Sequence, residues 1–243
     1  MNIKNIVLML AFSCLASGLQ AQKVYLWLDA GVKGSYGPNM MVNADILNGT
    51  NYTPKLNGSY AFGAKFGVNF GEYYAITFDG MYSQFKQQFT YKPDASTSTL
   101  AINEYRWSAI DFYPLFRYNR TINYIELGPR ISWLRDAKQA NNTSSFTDVT
   151  GDFNDVNYSA VLGFGWYAAG DDSFTAIIGV RLAYDVSNFV SEQGIQNNQV
   201  DLGLVDGDAT TNPAFVQLVF ELNWGLGYYA RTVCGGRARF FRF

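Results

Sequence analysis

Apolar and polar residues alternate at every second position through eight stretches of this chain, at about 23–35, 59–70, 73–89, 104–118, 123–135, 156–168, 173–188 and 214–230. A period of two is that of a β-strand, and stretches of roughly ten residues or more suit a strand that crosses a bilayer at a tilt. The joins alternate too. Gly71-Glu72, Asn119 to Ile122 and Ala169 to Asp172 are short and turn-like. The joins 37–58, 90–103, 136–155 and 189–213 are long and rich in Asn, Asp, Thr, Ser and Gly. Short turns at one end and long loops at the other predict an all-β fold: an eight-stranded antiparallel transmembrane β-barrel, an up-and-down meander. An even strand count puts both chain ends on the periplasmic side, with the long loops outside.

The two parities carry different chemistry. Tyr60, Phe62, Ala64, Phe66, Val68 and Phe70 oppose Gly63, Lys65, Gly67 and Asn69. Ile125, Leu127, Pro129, Ile131 and Trp133 oppose Glu126, Gly128, Arg130 and Ser132. Ile178, Val180, Leu182 and Tyr184 oppose Gly179, Arg181, Ala183 and Asp185, and Leu218, Phe220, Leu222, Trp224 and Leu226 oppose Gln217, Glu221, Asn223 and Gly225. A soluble sandwich gains nothing by burying both signs of charge on one parity of so many strands. A barrel whose other parity faces lipid does. Aromatics near the short turns (Phe70, Tyr73, Tyr74, Tyr118, Tyr124, Trp166, Tyr167, Phe174, Tyr228 and Tyr229) fit an interfacial girdle.

The N-terminus reads as an export signal over 1–21. Lys4 gives the positive region, Ile6 to Phe12 the apolar run, and a cut after Ala21 leaves Gln22 first. A second reading makes Cys14 a lipid-attachment cysteine; the short apolar run and Phe12 count against it. The barrel then occupies 22–230 and a basic, aromatic periplasmic tail 231–243. No later segment approaches the roughly 20 apolar residues of a membrane helix.

Charge and rare residues narrow the chemistry. The 18 Lys and Arg, less Lys4, leave 17 against 20 Asp and Glu, and no strong field points to nucleic acid. The chain has no histidine. That removes a histidine general base, a histidine triad and histidine metal ligands. After the cut Cys234 is the single cysteine, so neither an internal disulfide nor a cysteine metal cluster is available. No enzyme activity and no cofactor are expected. Asp171-Asp172 and Asp152/Asp155 read as turn or loop formers. Asp152 to Asp155, or Asp201 with Asp206 and Asp208, could offer oxygen ligands to Ca²⁺, without the EF-hand spacing.

The inward parity collects Asp29, Lys33, Lys65, Asp79, Asp111, Arg117, Glu126, Arg130, Arg181, Asp185 and Glu221, five positive and six negative groups. Eight strands enclose an interior that side chains can fill. Balanced signs in that space predict a salt-bridge network plugging the lumen; a narrow pore is the alternative. In the tail, Arg231, Cys234, Arg237, Arg239, Phe240, Phe241, Arg242 and Phe243 suit an insertion signal or a docking peptide for an acidic partner.

The segments EYRWSAIDFYPLFRYN (104–119), NYIELGPRISWL (123–134) and FVQLVFELNWGLGYY (215–229), with Tyr113-Pro114 and Gly128-Pro129, resemble the PorT-like outer-membrane β-barrel family of Bacteroidota. The resemblance implies an eight-stranded barrel without catalytic residues. It also implies, for some members, a place in type IX secretion and gliding machinery. The expected function is a non-enzymatic accessory or anchoring subunit of an outer-membrane assembly, with outer-membrane lipid and protein partners in the outer membrane or periplasm. A ligand-binding or adhesion barrel acting through the loops 37–58, 136–155 and 189–213, and a small channel, are the alternatives.

Overall fold

The computed structural model describes residues 26–43, 52–91, 101–141, 145–170, 174–197 and 210–228. The signal segment, the tail and the aspartates at 171, 172, 201, 206 and 208 lie outside these residues. Eight long strands form the wall: β1 Leu26–Val42, β3 Asn57–Phe70, β4 Tyr74–Tyr91, β5 Ala101–Asn119, β6 Asn123–Asn141, β8 Val156–Gly170, β9 Phe174–Asp185 and β10 Asn212–Tyr228. Each pairs antiparallel with its neighbours, and β1 pairs with β10, so the sheet closes. Closure leaves no strand edge, which a membrane core demands. Two short strands, β2 Tyr52–Lys55 and β7 Thr147–Asp148, extend the wall at the loop end by pairing with β4 and β6.

The strands run further into the long joins than the alternation predicts. Residues 37–42, 57–58, 90–91, 101–103 and 136–141 are strand rather than loop. The ladders continue because the cross-strand partners continue, as in Tyr91↔Ala101 and Asn103↔Asn141.

The outer face is apolar and exposed across the middle of the wall: Val32, Phe62, Ile76, Phe116, Leu127, Leu162, Ile178 and Phe220 all point outward. The inner face holds the buried charges. In β4 and β5 the outward apolar run spans Tyr74 to Tyr82 and Ile110 to Tyr118. Eight residue steps of roughly 3.3 Å at a strand tilt of about 40° give ~20 Å, close to the apolar band of a membrane barrel. Exposed aromatics frame it: Tyr73, Tyr74, Tyr118, Trp166 and Trp224 at the turn end, Tyr36, Tyr60, Trp133, Tyr158 and Tyr184 at the loop end.

Two expected girdle residues face inward instead. Tyr124 is 3% exposed, with the Arg117 guanidinium 4.0 Å from its ring centroid. Tyr167 donates its hydroxyl to Asn119 Oδ1 at 2.8 Å. The cause is parity: Tyr124 pairs with Gly165, and a Cβ on that glycine would lie 2.2 Å from the tyrosine ring. Glycine on β8 leaves the space that tyrosine on β6 fills, the small-against-large packing of a narrow barrel.

Beyond the apolar band the two faces exchange chemistry. Along β5 the outward row changes from Ile110 to Ser108, Arg106 and Glu104, while the inward row changes from Asp111 to Trp107 and Tyr105. β4 does the same: Tyr82 outside gives way to Gln84, Lys86 and Gln88, and Ser83 inside to Phe85 and Phe89, with the buried Gln87 between them accepting from Met41 N. Past the membrane the wall therefore behaves as a water-soluble sheet with an apolar inner side.

Candidate functional site

The lumen is filled in two layers. Nearer the turn end lies an ion-paired ring. The Glu221 carboxylate, from β10, accepts from Lys33 Nζ and Lys65 Nζ, each at 2.9 Å, and from both terminal nitrogens of Arg117 at 3.0 and 2.9 Å. Lys33 reaches on to Asp79 at 2.6 Å, and Arg181 binds Asp79 and Glu126, each at 2.7 Å. Arg117 closes the circuit onto Glu126 at 2.8 Å. Lys65 also holds Asp29 at 3.1 Å. Four cations meet four anions, so the ring is neutral as a unit. Buried charge is costly unless each group is paired and its donors used, and this arrangement does both.

β8 sends no charge into the ring. It contributes Gly163, where a Cβ would sit 2.6 Å from Glu126 Cγ. That gap is what lets the Glu126 carboxylate lie between Arg117 and Arg181.

Above the ring Arg130 bridges Asp111 at 3.0 Å and Asp185 at 3.1 Å and donates to Ser159 and Ser132. Tyr113 links the two groups: its hydroxyl donates to Asp111 at 3.2 Å, and the Arg181 guanidinium lies 4.6 Å from its ring centroid. All eleven inward charges thus lie in the lumen, and every one has an oppositely charged partner. A cavity of about 40 Å³ at the turn-end mouth, lined by Asp29, Lys65, Arg117 and Asn223, stops at the ring.

The second layer is aromatic, and alternation alone does not reveal it. Phe85 stacks on Trp107 at 5.2 Å between ring centroids and meets Phe215 at 5.7 Å. Trp107 meets Phe189 at 5.3 Å, and Phe189 meets Phe153 at 4.8 Å. Phe153 and Phe189 come from the long joins, not from the wall. A 3₁₀ turn at Thr150–Asp152 and a short helix, α1 Glu192–Gln196, fold over the mouth. Backbone bonds fasten the lid: Ser191 N to Asp152 O at 3.0 Å, Asn154 N to Phe189 O at 2.9 Å and Phe189 N to Thr211 O at 2.8 Å. Asn154 Nδ2 adds a bond to Asn188 O at 2.8 Å.

Asp152 is buried and accepts from Asn197 Nδ2 at 2.7 Å, while Asp155 is exposed. The two therefore do not converge on one point. Among the described residues no group of three acidic or cysteine side chains is arranged to hold a metal ion.

The outer side of the loop-end wall carries a second set of ion pairs. Glu104 receives Lys86 at 2.9 Å and Arg106 at 2.6 Å, and Lys138 meets Asp136 at 3.0 Å. Partial burial works against ionisation of Glu104. Hydrogen bonds from Lys86, Gln88 and Arg106 outweigh it and hold the carboxyl below its usual range. The Ser108 hydroxyl does the same for Asp136.

No protein-family model matches the chain, and no curated protein matches it. Among solved structures, Neisserial surface protein A is similar with a TM-score of 0.41 and 9% identity, over 80% of this chain and 96% of that one. Ail of Yersinia pestis has a TM-score of 0.37 and 13% identity over 79% and 97%. The outer membrane protease OmpT of Escherichia coli has 0.37 and 7% over 84% and 96%.

Proposed function

We propose that this chain is a non-enzymatic barrel of the bacterial outer membrane that acts as an anchoring or accessory subunit of a larger assembly, as its PorT-like resemblance suggests. One observation carries the reading: the lumen is occupied twice over, by a neutral ion-paired ring and by an aromatic lid. A filled lumen offers neither a path for solute nor room for a substrate. The surfaces are then left to act: the lipid-facing wall, the external rim and the periplasmic tail.

The test is cross-linking in cells followed by gentle detergent extraction of the tagged barrel, with partners identified by mass spectrometry. A stoichiometric set of secretion or assembly proteins supports the subunit reading. Replacing Arg237, Arg239 and Arg242 together by Ala is expected to release such a partner while the barrel still folds. A solitary barrel overturns the reading.

The folded lid favours one second reading, an external ligand-binding barrel. A rim built from hydrogen-bonded joins is a defined surface. Deleting 186–197 would abolish ligand binding in that case and leave periplasmic partners in place. The channel reading predicts stepwise single-channel conductance in a planar bilayer.

A further inference from the structure

Among the described residues the cations outside the lumen are Lys55, Lys86, Arg106, Arg120, Arg135 and Lys138. Arg120 lies in the short turn between β5 and β6. The other five share one arc of the rim, on β2, β4, β5 and β6. The opposite arc presents Pro38, Ala160, Tyr184 and Ala214 at its loop end and no cation.

Height is the second observation. Register puts Tyr82, Ile110 and Trp133 in one outward row, and Lys86, Arg106 and Lys138 in another further out, four residues on along β4 and β5 and five along β6, where a bulge adds one. Four steps along a tilted strand rise roughly 10 Å, from the aromatic edge of the hydrocarbon into the headgroup layer. The cations therefore sit where lipid phosphates lie.

Shape is the third. A cleft of about 420 Å³ opens on the outer side of this arc, with Lys86, Arg106 and Lys138 along it, Tyr60 at its membrane edge and Ser108 in its floor. Phe146 forms one side, its ring centroid 4.4 Å from the Arg106 guanidinium. Glu104 and Asp136 hold the cations in place but do not exhaust them. An ammonium has three donors and a guanidinium five, and the arc carries five cations against Glu104, Asp136 and Asp148. Asp136 is part of the cleft lining, and the positive surplus of the arc comes from Lys55 and Arg135 beside it; a donor-rich cleft on a net positive arc, next to exposed rings, suits a phosphorylated sugar.

We propose that the cleft along Lys86, Arg106 and Lys138 seats the phosphorylated headgroup of an outer-leaflet glycolipid whose acyl chains lie on the wall below. This rests on the outer-membrane reading. Bound lipid would fix the rotational face that the barrel turns toward its neighbours.

The full chain, purified in detergent, is titrated with lipid A and with lipid A stripped of its phosphates, and bound lipid is counted by native mass spectrometry. The native protein is expected to retain lipid A and to lose it at raised salt. The triple variant K86Q/R106Q/K138Q should bind about tenfold more weakly, Arg120→Gln should not change binding, and the stripped lipid should bind the native protein as weakly as the triple variant binds lipid A. Equal retention by the triple variant, equal retention of the stripped lipid, or displacement by inorganic phosphate alone at matched concentration would overturn the proposal. Heat-modifiable migration in SDS gels reports whether each variant has folded. Resistance of the membrane-bound protein to carbonate extraction tests the membrane reading separately, so the two can fail independently.

Discussion

Arg117 and Glu221 meet across the lumen through two parallel hydrogen bonds, Nη1 to Oε1 at 3.0 Å and Nη2 to Oε2 at 2.9 Å. Both side chains are almost wholly buried, and β5 and β10 are not neighbours in the wall. The pair is a strut across the barrel, and Glu221 also takes Lys33 and Lys65. Replacing Glu221 by Ala takes one partner from each of three buried cations, which keep Asp79, Asp29 and Glu126, and leaves the ring one positive charge in excess. The expected loss of stability is about 3–5 kcal/mol, the usual cost of breaking a buried charge pair. Urea unfolding in detergent, read by tryptophan fluorescence, measures it. Glu104→Ala, at a partly exposed pair, should cost less than about 1 kcal/mol.

The lid and the ring fill the lumen as two separate layers. Phe189→Ala removes the ring that joins Trp107 to Phe153. Limited proteolysis should then cut within 186–197, while the barrel's unfolding midpoint falls only slightly. Conductance should stay at background, because the ring beneath is intact. Only the combination with Glu221→Ala is expected to leak ions in planar bilayers.

Gly165→Ala places a methyl group against the Tyr124 ring. The expected cost is about 1–3 kcal/mol, that of overpacking a filled interior. Adding Tyr124→Ala should restore part of the loss. Strict additivity of the two changes would contradict the contact; a double-mutant cycle decides.

The outward middle of the wall faces hydrocarbon. Leu222→Arg is therefore expected to cost about 2–4 kcal/mol in bilayer-folded protein, and Gln88→Arg, beyond the band, close to nothing. Equal effects would place the membrane elsewhere.

The Glu104 zipper between β4 and β5 has a defined pH response. Its carboxyl is held below the ordinary value, so the tie is complete above that value and is lost as pH falls through the lowered one. Hydrogen-exchange protection at 86–90 and 102–106, taken relative to the intrinsic rate at each pH, should hold steady down to the ordinary carboxylate range and fall only below it.

Alternation carries the closed eight-stranded wall, because lipid on one side and a polar lumen on the other leave each strand a single allowed register. It also shows which charges point inward. It does not show who meets whom. The Lys65–Glu221 contact joins residues 156 apart and exists only because β1 and β10 close the sheet. Tyr124 defeats a rule based on closeness to a turn, since parity and the facing Gly165 decide its side. The lid is illegible for another reason: Phe153 and Phe189 stand alone in polar joins and have no period. A signal did exist in the strands. Trp107 next to Arg106, and Phe85 next to Lys86, reverse the parity rule of the residues below them.

That reversal fixes how deep the protein floats. A uniformly striped barrel could bob along the membrane normal at small cost. Here, sinking by one residue pair would drag Gln84, Ser108 and Asp136 into hydrocarbon, and rising by one would lift Tyr60 and Trp133 into water. The change of stripe is a waterline drawn in the sequence. Whatever binds the external rim meets it at a set height above the lipid.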